Sequence, residues 1–160
     1  MFKKILHTNY SLSKPVLVWD GDCTFCKFWK TRWELKTKGK IKYVTYQEIG
    51  NHFKDIPLKE FKKSSKLIEP TGKIYNGPDS AYRTLSIAGN KKWHIWYKKS
   101  RWFCYVSDHA YNHIAKNRSF YYKITTLLLG KNPLSIKYYW LIYLLALIAI
   151  LTGVIGLMYS

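Results

Sequence analysis

Apolar and polar positions change period several times along this chain, and each change marks an element. Residues 15–19, Pro-Val-Leu-Val-Trp, form a continuous apolar run of strand length. From 24 to 38 apolar residues recur at helical spacing, with Phe25, Phe28, Trp29 and Trp33 along one stripe and Gly39 placed to end the helix. Most of that stripe is expected in the core. Residues 41–46 alternate and are rich in β-formers, which predicts a second strand parallel to the first across the helical crossover. The stretch 47–61 is polar and broken by Gly50 and Pro57, so it is expected to be helical in pieces. Residues 66–69 and 73–76 flank Pro70-Thr71-Gly72 and predict a compact hairpin. Asp79 or Ser80 is then expected to cap a helix reaching about Ala88, and 101–116 predicts another.

Beyond Lys137 the pattern changes character, because 138–160 carries no charged residue. A membrane span needs ~20 apolar residues, so this segment is expected to be one C-terminal transmembrane helix with Tyr138, Tyr139, Trp140 and Tyr159 as interfacial anchors. All 27 Lys and Arg precede it, which predicts a single-pass protein with its N-terminal catalytic domain on the cytoplasmic side. The start, Met1 to Thr8, has no apolar stretch of signal-peptide length. The expected organisation is an extension over 1–14, an α/β domain over 15–120, a basic juxtamembrane segment over 121–137 and the helix over 138–160. The net charge of +18 lies in the head. On a tethered domain it points to membrane lipids as partners rather than nucleic acid, for which no recognised motif accompanies the charge.

The chemistry concentrates at Asp20-Gly21-Asp22-Cys23-Thr24-Phe25-Cys26. A strand delivers two cysteines three positions apart to a helix N-terminus, where free amide N–H groups and the helix dipole favour a Cys23 thiolate. Strand, helix, strand, hairpin, helix with a cysteine pair at the first strand-helix junction is the order of a thioredoxin-like fold, a central mixed sheet flanked by helices.

Over about 16–118 the chain resembles the DCC family of predicted thiol-disulfide oxidoreductases. The signature Asp-x-x-Cys-x-x-Cys is carried by Asp20, Cys23 and Cys26; Gly77 and Ala81 resemble its Gly-x-x-x-Ala element, and Tyr111 with Asn117 and Arg118 resembles its closing motif. The resemblance implies thiol-disulfide exchange without a cofactor on a disulfide- or dithiol-bearing protein or small thiol. Cys23 attacks, Cys26 resolves the mixed disulfide, and Asp20 either faces away or accepts the Cys26 proton.

Thioredoxins place a cis-proline before the third strand, where this chain has Ser64 and Ser65, so substrate docking through the backbone is not expected to carry over. Asp20 and Asp22 disfavour a neighbouring thiolate and argue for a more reducing pair, unless Arg118 or Lys27 offsets them. Two other chemistries use the same residues. Asp20-x-Asp22-x-Thr24 fits the nucleophile motif of Mg²⁺-dependent haloacid-dehalogenase-like phosphatases, although Asp55, Asp79 and Asp108 each stand without a neighbouring acid. Cys23, Cys26 and Cys104 with His109 or His113 supply a possible zinc set, the alternative being that Cys104 is a buried apolar residue. A non-catalytic, membrane-tethered interaction module is the remaining alternative.

Overall fold

Strand β1 (Val16–Trp19) lies at the centre of a four-stranded sheet of order β2-β1-β3-β4, with β2 at Lys42–Thr45, β3 at Lys66–Ile68 and β4 at Ile74–Asn76. The computed structural model describes residues 2–158, with side chains described as far as Thr152. β1 pairs parallel to β2, with Leu17 opposite Tyr43, and antiparallel to β3, with Leu17 opposite Leu67. β3 and β4 form the expected antiparallel hairpin. Helix α1 (Thr24–Thr37) supplies the crossover that a parallel pair requires. This mixed sheet with helices is consistent with a thioredoxin-like arrangement.

The two-residue period of β1 distributes the core. Val16 and Val18 enter one buried cluster with Phe53, Ile56, Phe61, Ile68 and Ile74, while Leu17 faces the other side with Ile41, Leu67 and Tyr75. Between β2 and β3 the chain runs through α2 (Tyr46–Ile49), a 3-10 turn (Gly50–His52) and α3 (Leu58–Lys63), the helical pieces expected there. Lys38, at φ 47°, takes the left-handed position after α1 ahead of Gly39, and its amide bonds the Glu34 carbonyl. Residues near the start of the chain run beside β4: the Ile74 amide donates to the Leu6 carbonyl and the Thr8 amide to the Gly72 carbonyl, both at 2.9 Å.

Helix α4 (Pro78–Ile87) starts differently from the sequence expectation. Its cap is Gly77 rather than Asp79 or Ser80, with φ 56° and Pro78 at the first helical position. A Cβ at Gly77 would come within 2.7 Å of the Phe2 ring, so only glycine fits both the conformation and the space. Helix α5 (Lys92–Lys99), unforeseen in the basic and aromatic stretch, packs through Trp96, whose ring stacks on Phe103 at 4.2 Å. Helix α6 (Arg101–Lys116) follows with Ser100 as its side-chain cap. Helix α7 (Arg118–Leu129) occupies much of the segment expected to be a basic linker and packs on α1. Arg32 on α1 donates to the Pro133 carbonyl at 3.0 Å and ties down the chain beyond α7.

The expected transmembrane helix and single-pass placement are not borne out. Helix α8 spans Tyr139–Met158, but among the described residues no helix is long and apolar enough to cross a membrane. The anchor expected at Tyr159 lies outside the described residues. With the span goes the basis for assigning the head to the cytoplasmic side.

Candidate active site

Where β1 ends, the backbone turns through Asp20, Gly21 and Asp22, and the Cys23 amide closes the turn on the Asp20 carbonyl at 3.2 Å. Cys23 is the N-cap of α1, extended at φ −96° and ψ 108°, and its Sγ accepts from the Cys26 amide at 3.1 Å. Sulfur thus stands where a Ser or Asp side chain commonly satisfies a free first-turn amide. Cys23 and Cys26 are joined as a disulfide with Cα atoms 5.1 Å apart, both half-buried.

The turn is held from two sides. Gln47 accepts from the Gly21 amide at 3.1 Å, while its Nε2 donates to Asp20 at 3.2 Å and to Asp22 at 3.0 Å. Thr45 and Glu48 form a capping box that sets the start of α2 and so aims Gln47. That box is also the sequence signal that leads to Gln47, which the motif does not include. From the other side, Arg118 at the start of α7 donates through Nη1 to Asp20 Oδ2 at 2.8 Å and through Nη2 to the Lys62 carbonyl at 2.9 Å. Arg118, not Lys27, is the cation paired with Asp20.

Beneath the pair opens a cavity of about 320 Å³, walled by Phe25, Trp29, Trp33, Ile114 and Tyr121, with Cys26 in its lining. Of the α1 stripe only Phe28 is fully buried; Phe25 and Trp29 are half-buried cavity walls, while Trp33 both lines the cavity and packs against the Leu17 cluster of the core. Ser65, just before β3, is fixed by hydroxyls. Its amide donates to the Tyr111 hydroxyl at 3.0 Å, and its own Oγ lies 2.9 Å from Ser80 and 3.1 Å from Tyr111. Because Ser80 donates to the Gly77 carbonyl at 2.7 Å, Ser65 must donate to Ser80, and Tyr111 to Ser65.

A family model described as DCC1-like thiol-disulfide oxidoreductase matches residues 17–124, more than half of the 160. The chain belongs to this family. No curated protein and no solved structure matches it. Membership brings thiol-disulfide oxidoreductase activity and dithiol- or disulfide-bearing substrates. The motif residues of this DCC1-like chain converge in space: Asp20, Cys26, Ala81, Tyr111 and Arg118 all line the one cavity, Gly77 receives the Ser80 hydroxyl, and Asn117 sits at the α6-α7 junction.

The metal-based alternatives find no assembled ligand set. Among the described residues, no three His, Cys, Asp or Glu side chains converge as a metal site. Cys104 is half-buried beside Lys4 and Asp108, each 3.8 Å from its sulfur, and so is neither a zinc ligand with Cys23 and Cys26 nor a purely apolar core residue. His109 is exposed and donates to the Tyr105 carbonyl of its own helix, and His113 is likewise exposed. Asp20, the candidate phosphatase nucleophile, is bonded by Arg118 and Gln47 instead.

Behind the cavity a second charge is buried outright. Lys66 on β3 is fully inaccessible, donating to Ser64 and Asn76 at 3.2 Å each. Burial pulls its pKa down to about 8, against the pull of Glu60, whose own carboxyl is held below its usual range by the Lys63 hydrogen bond. Strand alternation alone gave no sign of this lysine's burial.

Proposed function

We propose that this DCC1-like oxidoreductase exchanges disulfides through Cys23 and Cys26, with Cys23 as nucleophile and Cys26 as resolving thiol. The observation that carries the reading is the cysteine pair at the start of α1, with Cys23 as the cap and its sulfur on the Cys26 amide. A thiolate at Cys23 accepts that same hydrogen bond and lies at the positive end of the helix. In the reduced protein, Cys23 thiolate attacks one sulfur of a substrate disulfide and expels the other as thiolate. Cys26, deprotonated, then attacks the Cys23 sulfur, closes the internal disulfide and releases the second substrate thiolate. Two electrons pass to the substrate, and two thiols of the protein become one disulfide. Run backwards, the same steps oxidise a dithiol.

In this reading Asp20 positions more than it reacts. Its carboxylate anchors the turn to Gln47 and Arg118, and its place in the cavity wall beside Cys26 also suits it to take the Cys26 proton as resolution begins. The neighbouring guanidinium offsets its charge, which relieves the penalty a bare carboxylate would impose on either thiolate.

Substitution separates the two roles. Cys23→Ser should abolish exchange with a disulfide substrate, whereas Cys26→Ser should accumulate a mixed disulfide at Cys23 that a reductant releases. Mass spectrometry of the trapped adduct reads this out directly. A wild-type pair that never cycles between dithiol and disulfide in graded redox buffers would sink the proposal.

A further inference from the structure

We infer that the cavity beneath the cysteine pair is a side-chain pocket, selecting polypeptide substrates whose reacting cysteine is flanked by a large apolar residue in an acidic setting. The inference rests on the exchange chemistry proposed above and concerns what that chemistry acts upon. Three observations support it.

First, the backbone of Ser65, in the segment facing the pair, is already engaged within the fold. Ser65 donates its amide to Tyr111, and its carbonyl accepts from the Gly77 amide at 2.9 Å, so the amide is used up and the carbonyl is committed to the link between β3 and α4 rather than free for the regular pairing of an incoming strand. Affinity therefore has to draw on more than main-chain pairing at this position.

Second, the adjoining surface offers apolar burial. Phe25, Trp29, Trp33 and Tyr121 wall a space of about 320 Å³ directly beside Cys26, and Phe61 closes part of it. That is the small end of the range for ligand sites and suits one large side chain. A substrate sulfur docked at Cys23 places its neighbouring residue within reach of this opening, because Cys23 and Cys26 bound the same helical turn.

Third, the charges around it have one sign in excess. Lys30 and Arg118 line the cavity, each paired with one carboxylate, Glu34 and Asp20 respectively, and the surplus comes from the chain as a whole, which carries +18. Acidic residues beyond the apolar one would speed encounter with such a surface.

The probes are disulfide-linked peptide dimers, identical except for Phe or Ser beside the cysteine, with glutamates farther out in both. The reduced full-length protein should act on the Phe dimer with kcat/KM roughly 10- to 100-fold above the Ser dimer, the ratio expected from burying one aromatic side chain. Ala81 and Ala115 both line the pocket, so filling it by Ala115→Phe or independently by Ala81→Leu should bring that ratio toward about 1 in variants whose unfolding temperature stays near wild type. If neither variant folds, the wild-type ratio decides alone. Equal rates for the two dimers, both above the Cys23→Ser background, would overturn the pocket while leaving the exchange chemistry standing. A ratio that survives in a folded, pocket-filled variant also overturns it. Rates no higher than the Cys23→Ser background for both dimers would remove the exchange reading and this inference with it.

Discussion

Arg118 Nη1 donates to Asp20 Oδ2 at 2.8 Å across 98 residues of sequence, joining the first residue of α7 to the turn that carries the cysteine pair. Both side chains are mostly buried, at 20% and 14% exposure, so the interaction is only partly screened. Removing the cation leaves a carboxylate beside the cysteines without its counter-charge. Arg118→Gln should cost about 1–3 kcal/mol of stability in urea unfolding. It should also move the pH of half-maximal Cys23 alkylation upward and the pair's reduction potential downward, since the reduced form loses thiolate stabilisation. Asp20→Asn in the same background should restore most of both, and failure of that rescue would show that Arg118 acts through the Lys62 carbonyl instead.

Gln47 is the other clamp on the turn, and its loss should be local. Gln47→Ala removes the acceptor of the Gly21 amide and both donors to the carboxylates. Hydrogen exchange at Gly21 should quicken by roughly 10-fold, the effect of about one net hydrogen bond, while core amides such as that of Leu17 keep their protection. Uniformly faster exchange would mean that the side chain supports the whole domain.

Tyr111→Phe deletes a single oxygen and strands the Ser65 amide. An unsatisfied donor there should cost about 1–3 kcal/mol, measured by thermal unfolding. The hydroxyl chain from Ser65 through Ser80 to the Gly77 carbonyl survives, so α4 should keep its N-terminus. A cost as large as that of Tyr111→Ala would indicate that the ring, edge-on to Phe2 at 5.6 Å, carries the effect.

Lys66 makes stability depend on alkaline pH. Its pKa falls from 10.5 unfolded to about 8 folded, so between those values the unfolded chain holds a proton that the folded one has released. Stability therefore rises with pH through that window, and the full penalty for the buried charge applies below about 8. Relative to Lys66→Met, wild type should gain about 3 kcal/mol between pH 7 and pH 10.5, an upper figure from the shift alone. Parallel stability curves for the two proteins would contradict this account.

Local signals made the cysteine turn, the parallel strand pair, the hairpin and α6 legible in advance, because apolar period and turn chemistry act over a few residues. What escaped depends on distant partners. The Gln47 clamp and the burial of Lys66 are settled by tertiary neighbours that no window spans, and so is the choice of Arg118 over Lys27 as counter-ion to Asp20. Phe25 and Trp29 read as core because helical spacing records a shared face but not whether that face is filled. The apolar tail misled for a related reason: composition over 138–160 is that of a span, yet the described helix there is not long and apolar enough to cross a membrane.

The lie of Leu6 and Thr8 against the hairpin bears on how this protein avoids self-association. β4 is the outermost strand of its side, and an uncovered border of a sheet is a template for pairing with other molecules. By taking up the Ile74 amide and the Gly72 carbonyl, the N-terminal residues blunt that border. Removal of the first eight residues should therefore show itself less as lost activity than as concentration-dependent aggregation.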